Sequence, residues 1–212
     1  MNKHGVFITF EGIEGSGKSK HILQLSADLE KEGFPVVLTR EPGGTRIGEK
    51  IRNVILDPEH REMDPAAELF LYLAARAQHI HEVIIPALKG NKIVLCDRFH
   101  DSTYAYQGGG RGLDFKVVEP FILTLFHYLK PDLTFLLDIE PKIGLERLRQ
   151  RESLDRIDSE NMAFHETVRS NYLSLVNQDF SRFRVIDSSR HYADVHQEIL
   201  SEARRFLKEQ NQ

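Results

Sequence analysis

The chain has 212 residues, the size of one larger domain, with enough length to bury a real core. Its 41% hydrophobic and 28% charged residues are an ordinary globular balance, and a formal net charge of −4 argues against coating nucleic acid by electrostatics alone, leaving room for a local site for a small phosphorylated ligand. A single cysteine, Cys96, excludes an internal disulfide; with too few apolar residues in MNKHGVFITFEG for a signal peptide and no run of membrane-spanning length, a cytoplasmic location is expected.

In chain order, residues 5–11 (GVFITFE) form a strand-length apolar run, and residues 18–31 follow with helical period, carrying Ile22, Leu25 and Leu29. Residues 35–40 (PVVLTR) are a second run, after which Glu41-Pro42-Gly43-Gly44 reads as a turn. A long helix is expected after Asp64. There Leu69, Tyr72, Leu73, Arg76, Ile80, Val83 and Ile84 fall at i, i+3, i+4, i+7, i+11, i+14 and i+15, a single stripe in which Arg76 takes an apolar slot. Residues 92–97 (KIVLCD), 133–138 (LTFLLD) and 183–187 (FRVID) are further strands, and helical patterns occupy 141–151, 168–176 and 195–206. The runs are mostly continuous rather than alternating. Strand alternating with helix predicts an α/β fold, a parallel sheet covered by helices on both faces. No linker, repeat or low-complexity stretch divides the chain, so residues 1–212 are read as one domain. The histidines form no metal constellation; His79 and His81 are read as surface residues and Cys96 as a small core residue.

Residues 12–19, GIEGSGKS, fit G-x-x-x-x-G-K-S without a mismatch, between a strand pattern and a helical one. Gly12, Gly15 and Gly17 let the backbone N–H groups of this loop, with Ile13, Glu14 and Ser16, turn inward around phosphate oxygens. Lys18 brings a charge to the β- and γ-phosphates, and Ser19 offers a hydroxyl to Mg²⁺. A nucleoside triphosphate with Mg²⁺ is the implied ligand. The absence of an N-K-x-D guanine motif counts against a GTPase switch, whereas a phosphotransferase needs an acceptor site and further cations.

Residues 97–112, DRFHDSTYAYQGGGRG, offer both. Asp97 and Arg98 close the third strand at its C-terminal end, where ligands collect in open α/β sheets. Asp97 suits Mg²⁺ or its waters. The planar fork of Arg98 suits bridging donor and acceptor phosphates, the competing account being an ordinary ion pair at a strand end. Ser102, Thr103, Tyr106 and Gln107 lie on what reads as a short helix stopped by Gly108, Gly109 and Gly110, and such groups suit a base and a sugar.

GIEGSGKS, REPGGT (40–45), AAR (74–76), DRFHDSTYAYQGGGRG and LDRID (154–158), in this order, resemble bacterial thymidylate kinase across nearly the whole chain. The resemblance implies transfer of the γ-phosphoryl of ATP to dTMP, giving dTDP and ADP in dTTP biosynthesis. It implies Mg²⁺, a five-stranded P-loop kinase fold and a homodimer, with no nucleic-acid or membrane partner. Carried over by position, Arg98 contacts the acceptor phosphate and Asp97 lies by the metal. Ser102 and Thr103 face the thymine edge, Tyr106 lies under the deoxyribose, and Gln107 is close to the base. Arg76 hydrogen-bonds thymine and Tyr72 stacks on it; the other account of Arg76 is a packed stem with its head in water. Glu41 borders the acceptor's phosphate and sugar, Arg52 reaches the phosphate, and Glu14 lies near the 3′-hydroxyl.

Catalysis of phosphoryl transfer rests mainly on positioning and on cations near the equatorial oxygens. The family carries an extra arginine either in the phosphate loop, just after the acidic residue, or on a mobile lid. That loop position is Gly15 here, so a lid at about residues 141–158 is expected to supply it. RLRQRESLDR (147–156) holds four arginines. Arg147 and Arg151 share a helix face; Arg151 and Arg156 are the expected catalytic residues, with Arg149 third, the alternative being a solvated helix surface. Three positions depart from the family pattern: Lys20 replaces Thr or Ser near the α-phosphate, Phe99 replaces Tyr, and Tyr72 replaces Phe. Competing functions are a P-loop kinase of another nucleoside monophosphate or a deoxynucleoside, and a nucleotide-binding regulator that transfers nothing.

Overall fold

The computed structural model describes residues 5–125, 129–150 and 153–210. Its strands are β1 (Val6–Glu11), β2 (Val36–Arg40), β3 (Ile93–Asp97), β4 (Leu133–Asp138) and β5 (Phe183–Asp187), joined in one parallel sheet of order β2-β3-β1-β4-β5. These are the five apolar runs of the sequence, the first three starting one residue later than expected. The helices are α1 (Lys18–Lys31), α2 (Arg46–Leu56), α3 (Pro65–His79), α4 (Ile85–Lys89), α5 (His100–Thr103), α6 (Phe115–Leu125), α7 (Pro141–Leu148), α8 (Met162–Gln178) and α9 (Tyr192–Gln210).

Side-chain alternation on β1 explains its continuous apolar sequence. Ile8 and Phe10 pack with Ile22, Leu25 and Leu29 of α1 and with Ile199 and Ala203 of α9, whereas Phe7 packs on the opposite face with Leu73, Ile84 and Phe99. Burying side chains of this size stabilises the fold by about 1.5–3 kcal/mol each. Phe10 is in register with Asp97 and with Phe135, so the C-terminal ends of β1, β3 and β4 lie side by side, and the loops leaving them share one edge.

The long helix expected after Asp64 begins as α3, with the Asp64 carboxylate accepting the Ala66 N–H at 2.8 Å and Pro65 in the first turn. It continues through a wide π-type turn, Ile80–Ile84, into α4. Pro86 accounts for the widening, because it has no N–H to give and its ring crowds the carbonyl of the preceding turn. Four residues of the stripe, Leu69, Leu73, Ile80 and Ile84, are buried in the core. His79 is not the surface residue expected. It is fully buried, and only His81 is exposed.

A second π-type stretch, Tyr104–Gly110, extends α5 through the three glycines, which therefore do not stop the helix. Their missing side chains admit α8 instead: a Cβ on Gly109 would lie 2.0 Å from Asn171, and one on Gly110 would lie 2.6 Å from Phe164. Helix α7 ends at Leu148, earlier than the expected 151, and Arg151 lies outside the described residues.

Candidate active site

The loop between β1 and α1 turns through Gly12, Gly15 and Gly17, all at positive φ. Helices α2 and α3 have side-chain caps, from Thr45 and Asp64, but α1 has none and presents its first-turn N–H groups to the loop. The Lys18 ammonium folds over the loop and donates to the carbonyls of Gly12 (3.0 Å) and Ile13 (2.9 Å). Burial, and then the Arg98 guanidinium, bring its pKa down to about 8. The Ser19 hydroxyl donates to the Asp97 carboxylate at 2.6 Å, across from the loop. Among the described residues no group of three or more His, Cys, Asp or Glu forms a metal site. The Ser19–Asp97 pair of hard oxygens fits Mg²⁺, which takes few protein ligands and completes its shell with water and phosphate.

Arg98 stands beside this pair with φ 73°, a left-handed backbone that disfavours a residue with a Cβ by about 1–2 kcal/mol. Its guanidinium donates to the Gly12 carbonyl (2.9 Å) and to Glu14 (2.6 Å), and lies 4.9 Å from the centre of the Tyr106 ring. The Tyr106 hydroxyl donates to the same Glu14 carboxylate at 2.7 Å. Burial opposes charge on Glu14, yet Arg98, with His165, more than offsets it and holds the carboxyl far below its usual range.

Beneath Arg98 the Glu11 carboxylate accepts the Phe99 N–H (2.7 Å), the Ser102 hydroxyl (2.6 Å) and the Tyr172 hydroxyl (2.7 Å), and the two hydroxyl oxygens are themselves 2.7 Å apart. Burial, and then Asp101, push the Glu11 carboxyl up to about 7. Arg98 donates to the Tyr172 oxygen at 3.2 Å, so Tyr172 also props the guanidinium. Tyr172→Phe removes that support: kcat is expected to fall about tenfold and stability by about 1–2 kcal/mol, read by steady-state assay and urea melt. An unchanged kcat would deny Tyr172 any part in holding Arg98.

The cavity continues from the loop past Arg98 and is lined by Arg52, Tyr72, Arg76, Thr103, Tyr106 and Gln107 among others, with a volume of about 700 Å³. Arg76 is only 2% exposed, so its head does not reach bulk water. It donates to Glu41 (2.5 Å), to the Thr103 hydroxyl (2.7 Å) and to the Phe99 carbonyl (3.0 Å). Glu41 is turned toward Arg76 and His79, and Arg52 donates to the Pro42 carbonyl at 2.9 Å. Gln107 donates to the buried Glu68 (2.8 Å), which also receives Arg111 (3.0 Å) and Arg156 (2.5 Å).

The arginines of 147–156 therefore diverge. Arg156 is buried against Glu68 and the Ile55 carbonyl, and Arg149 is exposed and outside the cavity lining. Among the described arginines of this segment, the one that meets the phosphate loop is Arg147, donating to the carbonyls of Gly15 (3.2 Å) and Ser188 (3.1 Å). Loop and α7 are nearly interlocked there, since a Cβ on Gly15 would lie 2.1 Å from the Gly144 carbonyl oxygen.

Residues 10–199 match the family model described as thymidylate kinase. The chain belongs to the thymidylate kinase family. It is 48% identical over 204 residues to the thymidylate kinase of Pelotomaculum thermopropionicum, covering 96% of this chain and 94% of that one. It is also 49% identical over 194 residues to that of Pseudomonas savastanoi pv. phaseolicola, covering 90% and 91%. The crystal structure of thymidylate kinase from Ehrlichia chaffeensis superposes with a TM-score of 0.76 at 34% identity, covering 94% of this chain and 98% of that one. The five-stranded parallel sheet read from the sequence is thus the thymidylate kinase fold.

Within this thymidylate kinase site, Glu11, His165 and Tyr172 were not singled out from the sequence, and Arg147 was named there among the lid arginines but not as a catalytic one. Signals existed for two of them. Tyr172 sits one turn after Val168 in the buried stripe of α8, and Arg147 lies three residues after Gly144, hence on the face that meets the loop.

Proposed function

We propose that this chain transfers the γ-phosphoryl of ATP to dTMP, yielding dTDP and ADP. The observation that carries this reading is the single cavity that joins the Lys18 loop to the Arg76–Thr103–Tyr106 pocket, with Arg98 at the junction. In this reading the loop and Lys18 hold the triphosphate, and Arg98 spans donor and acceptor phosphates. Glu14 and Tyr106 meet the deoxyribose; Tyr72, Arg76, Ser102, Thr103 and Gln107 meet the base. Glu41 and Arg52 border the acceptor's phosphate and sugar. Mg²⁺, held by Ser19 and Asp97, would supply charge neutralisation on the phosphates. Attack comes from an acceptor phosphate oxygen that needs no deprotonation, so orientation and positive charge do most of the catalysis.

A lid of about residues 141–158 would bring a further arginine to the transferred group. Among the described arginines of this segment Arg147 is the one that bonds the loop, and Arg149, Arg151 and Arg156 remain the residues to test by substitution. A homodimer is supported by Phe70 and Phe121, which meet edge to face at 5.9 Å yet stay 54% and 40% exposed. A cytoplasmic location is supported by the lone buried thiol of Cys96.

The test is ADP release with ATP and Mg²⁺ against dTMP, dUMP, dCMP, dGMP, dAMP, UMP and thymidine. Turnover is expected with dTMP, more weakly with dUMP, and at most as a trace activity at high concentration with the others. Turnover on a different acceptor would keep a kinase and overturn the pocket assignment. Tight ATP binding without turnover on any would leave a nucleotide-binding regulator.

A further inference from the structure

We infer that His79 is a positioning residue for acceptor-base selection, acting through Glu41 on Arg76; this rests on the acceptor pocket assigned above. His79 is fully buried, and both ring nitrogens are engaged. Nδ1 lies 2.9 Å from Glu41 Oε1, and Nε2 lies 2.6 Å from the Thr39 hydroxyl. Glu41 Oε2 accepts Arg76 Nε at 2.5 Å, and Arg76 Nη1 donates to Thr103 at the cavity wall. The result is one chain from β2 to the pocket, half-buried at Thr39 and buried through His79, Glu41, Arg76 and Thr103.

The chemistry runs in one direction. Burial opposes ionisation of Glu41, and Arg76, then His79, hold the carboxyl below its ordinary range. An ionised Glu41 only accepts, so the Nδ1 contact requires the proton on Nδ1, and in the neutral ring Nε2 then accepts from Thr39. The ring is wedged as well as bonded. A Cβ on Gly44, in the turn that carries Glu41, would lie 2.7 Å from both the His79 ring and the Thr39 hydroxyl oxygen. Helix α3 thus sets the angle at which the turn presents Glu41, and Glu41 sets the plane of the guanidinium. That plane matters because a guanidinium only donates. It matches a thymine carbonyl, whereas cytosine offers an amino group at the same ring position.

The experiment compares wild type with His79→Leu, His79→Gln and Thr39→Val, reading KM and kcat for dTMP, dCMP and ATP together with melting temperature. With His79→Leu, the KM for dTMP is expected to rise about tenfold and the dTMP-over-dCMP preference in kcat/KM to shrink at least about fivefold. KM for ATP and kcat should stay within about twofold. Thr39→Val should move the preference the same way by less, and His79→Gln, which keeps a donor and an acceptor, should restore most of it. An unchanged preference in His79→Leu overturns the inference, as does a joint rise of both KM values, which would mark a role in the fold alone. If His79→Leu does not fold, an unchanged preference in Thr39→Val overturns it equally. A wild-type enzyme with no preference for dTMP overturns the pocket assignment itself, and the selectivity role with it.

Discussion

Replacing Arg98 by alanine is expected to lower kcat about 10³-fold, the scale seen when an arginine supplied in cis leaves a phosphoryl-transfer site. The guanidinium is held from three sides, by the Gly12 carbonyl, Glu14 and the Tyr172 oxygen, over the ring of Tyr106. Lysine should recover little of this, because an ammonium on a flexible stem cannot reproduce a planar fork that engages two groups at once. The loss has a structural side too. Glu14 is partly buried and depends on Arg98 more than on any other partner for its charge. Breaking such a pair destabilises by about 3 kcal/mol, so kcat must be measured where a urea melt shows each variant folded. A lysine variant within tenfold of wild type would mean that a point charge suffices and that the geometry of Arg98 is incidental.

The second large effect is expected from Gly15→Ala. Gly15 has φ 73°, and its Cβ would fall 2.1 Å from the Gly144 carbonyl oxygen, a backbone atom that cannot swing aside. The loop or α7 must therefore shift. Strain and clash together should cost about 3 kcal/mol, roughly 10 °C in melting temperature for a chain of this length. Because the same loop is the one proposed to cradle phosphate, KM for ATP should rise at least about tenfold as its N–H groups lose their aim. Gly15→Arg should fare worse, so the loop arginine of the other family version does not transplant here by a single substitution. Calorimetry and an ATP titration decide the matter: wild-type values for Gly15→Ala would show that α7 yields freely.

The strands were legible because each is short and apolar, and the three central ones, β1, β3 and β4, are buried on both faces, so composition alone marks such segments. The phosphate loop was legible because its chemistry is local, with eight consecutive residues holding all its spacing. Other features were hidden by distance along the chain. Glu11 meets Tyr172 across 161 residues and Glu68 meets Arg156 across 88, and no periodicity connects such pairs. His79 was misjudged because a histidine on an amphipathic helix is read as exposed unless its partner is visible. Its partners, Glu41 and Thr39, sit on β2 and the turn that follows it. The three glycines after Gln107 were misjudged for a related reason, since a glycine run signals a helix end unless a neighbouring helix needs the room.

Glu68 has one further consequence. Its carboxylate is shared by Gln107, at the acceptor end of the cavity, and by Arg156, from the segment that follows α7. A displacement of Glu68 caused at one end is therefore felt at the other. Thermodynamic reciprocity then fixes the relation between the two substrates: whatever factor the nucleoside monophosphate imposes on ATP affinity, ATP imposes on the monophosphate. Substitution of Glu68 would therefore loosen Gln107 and Arg156 together, disturbing the cavity wall and the segment after α7 at once.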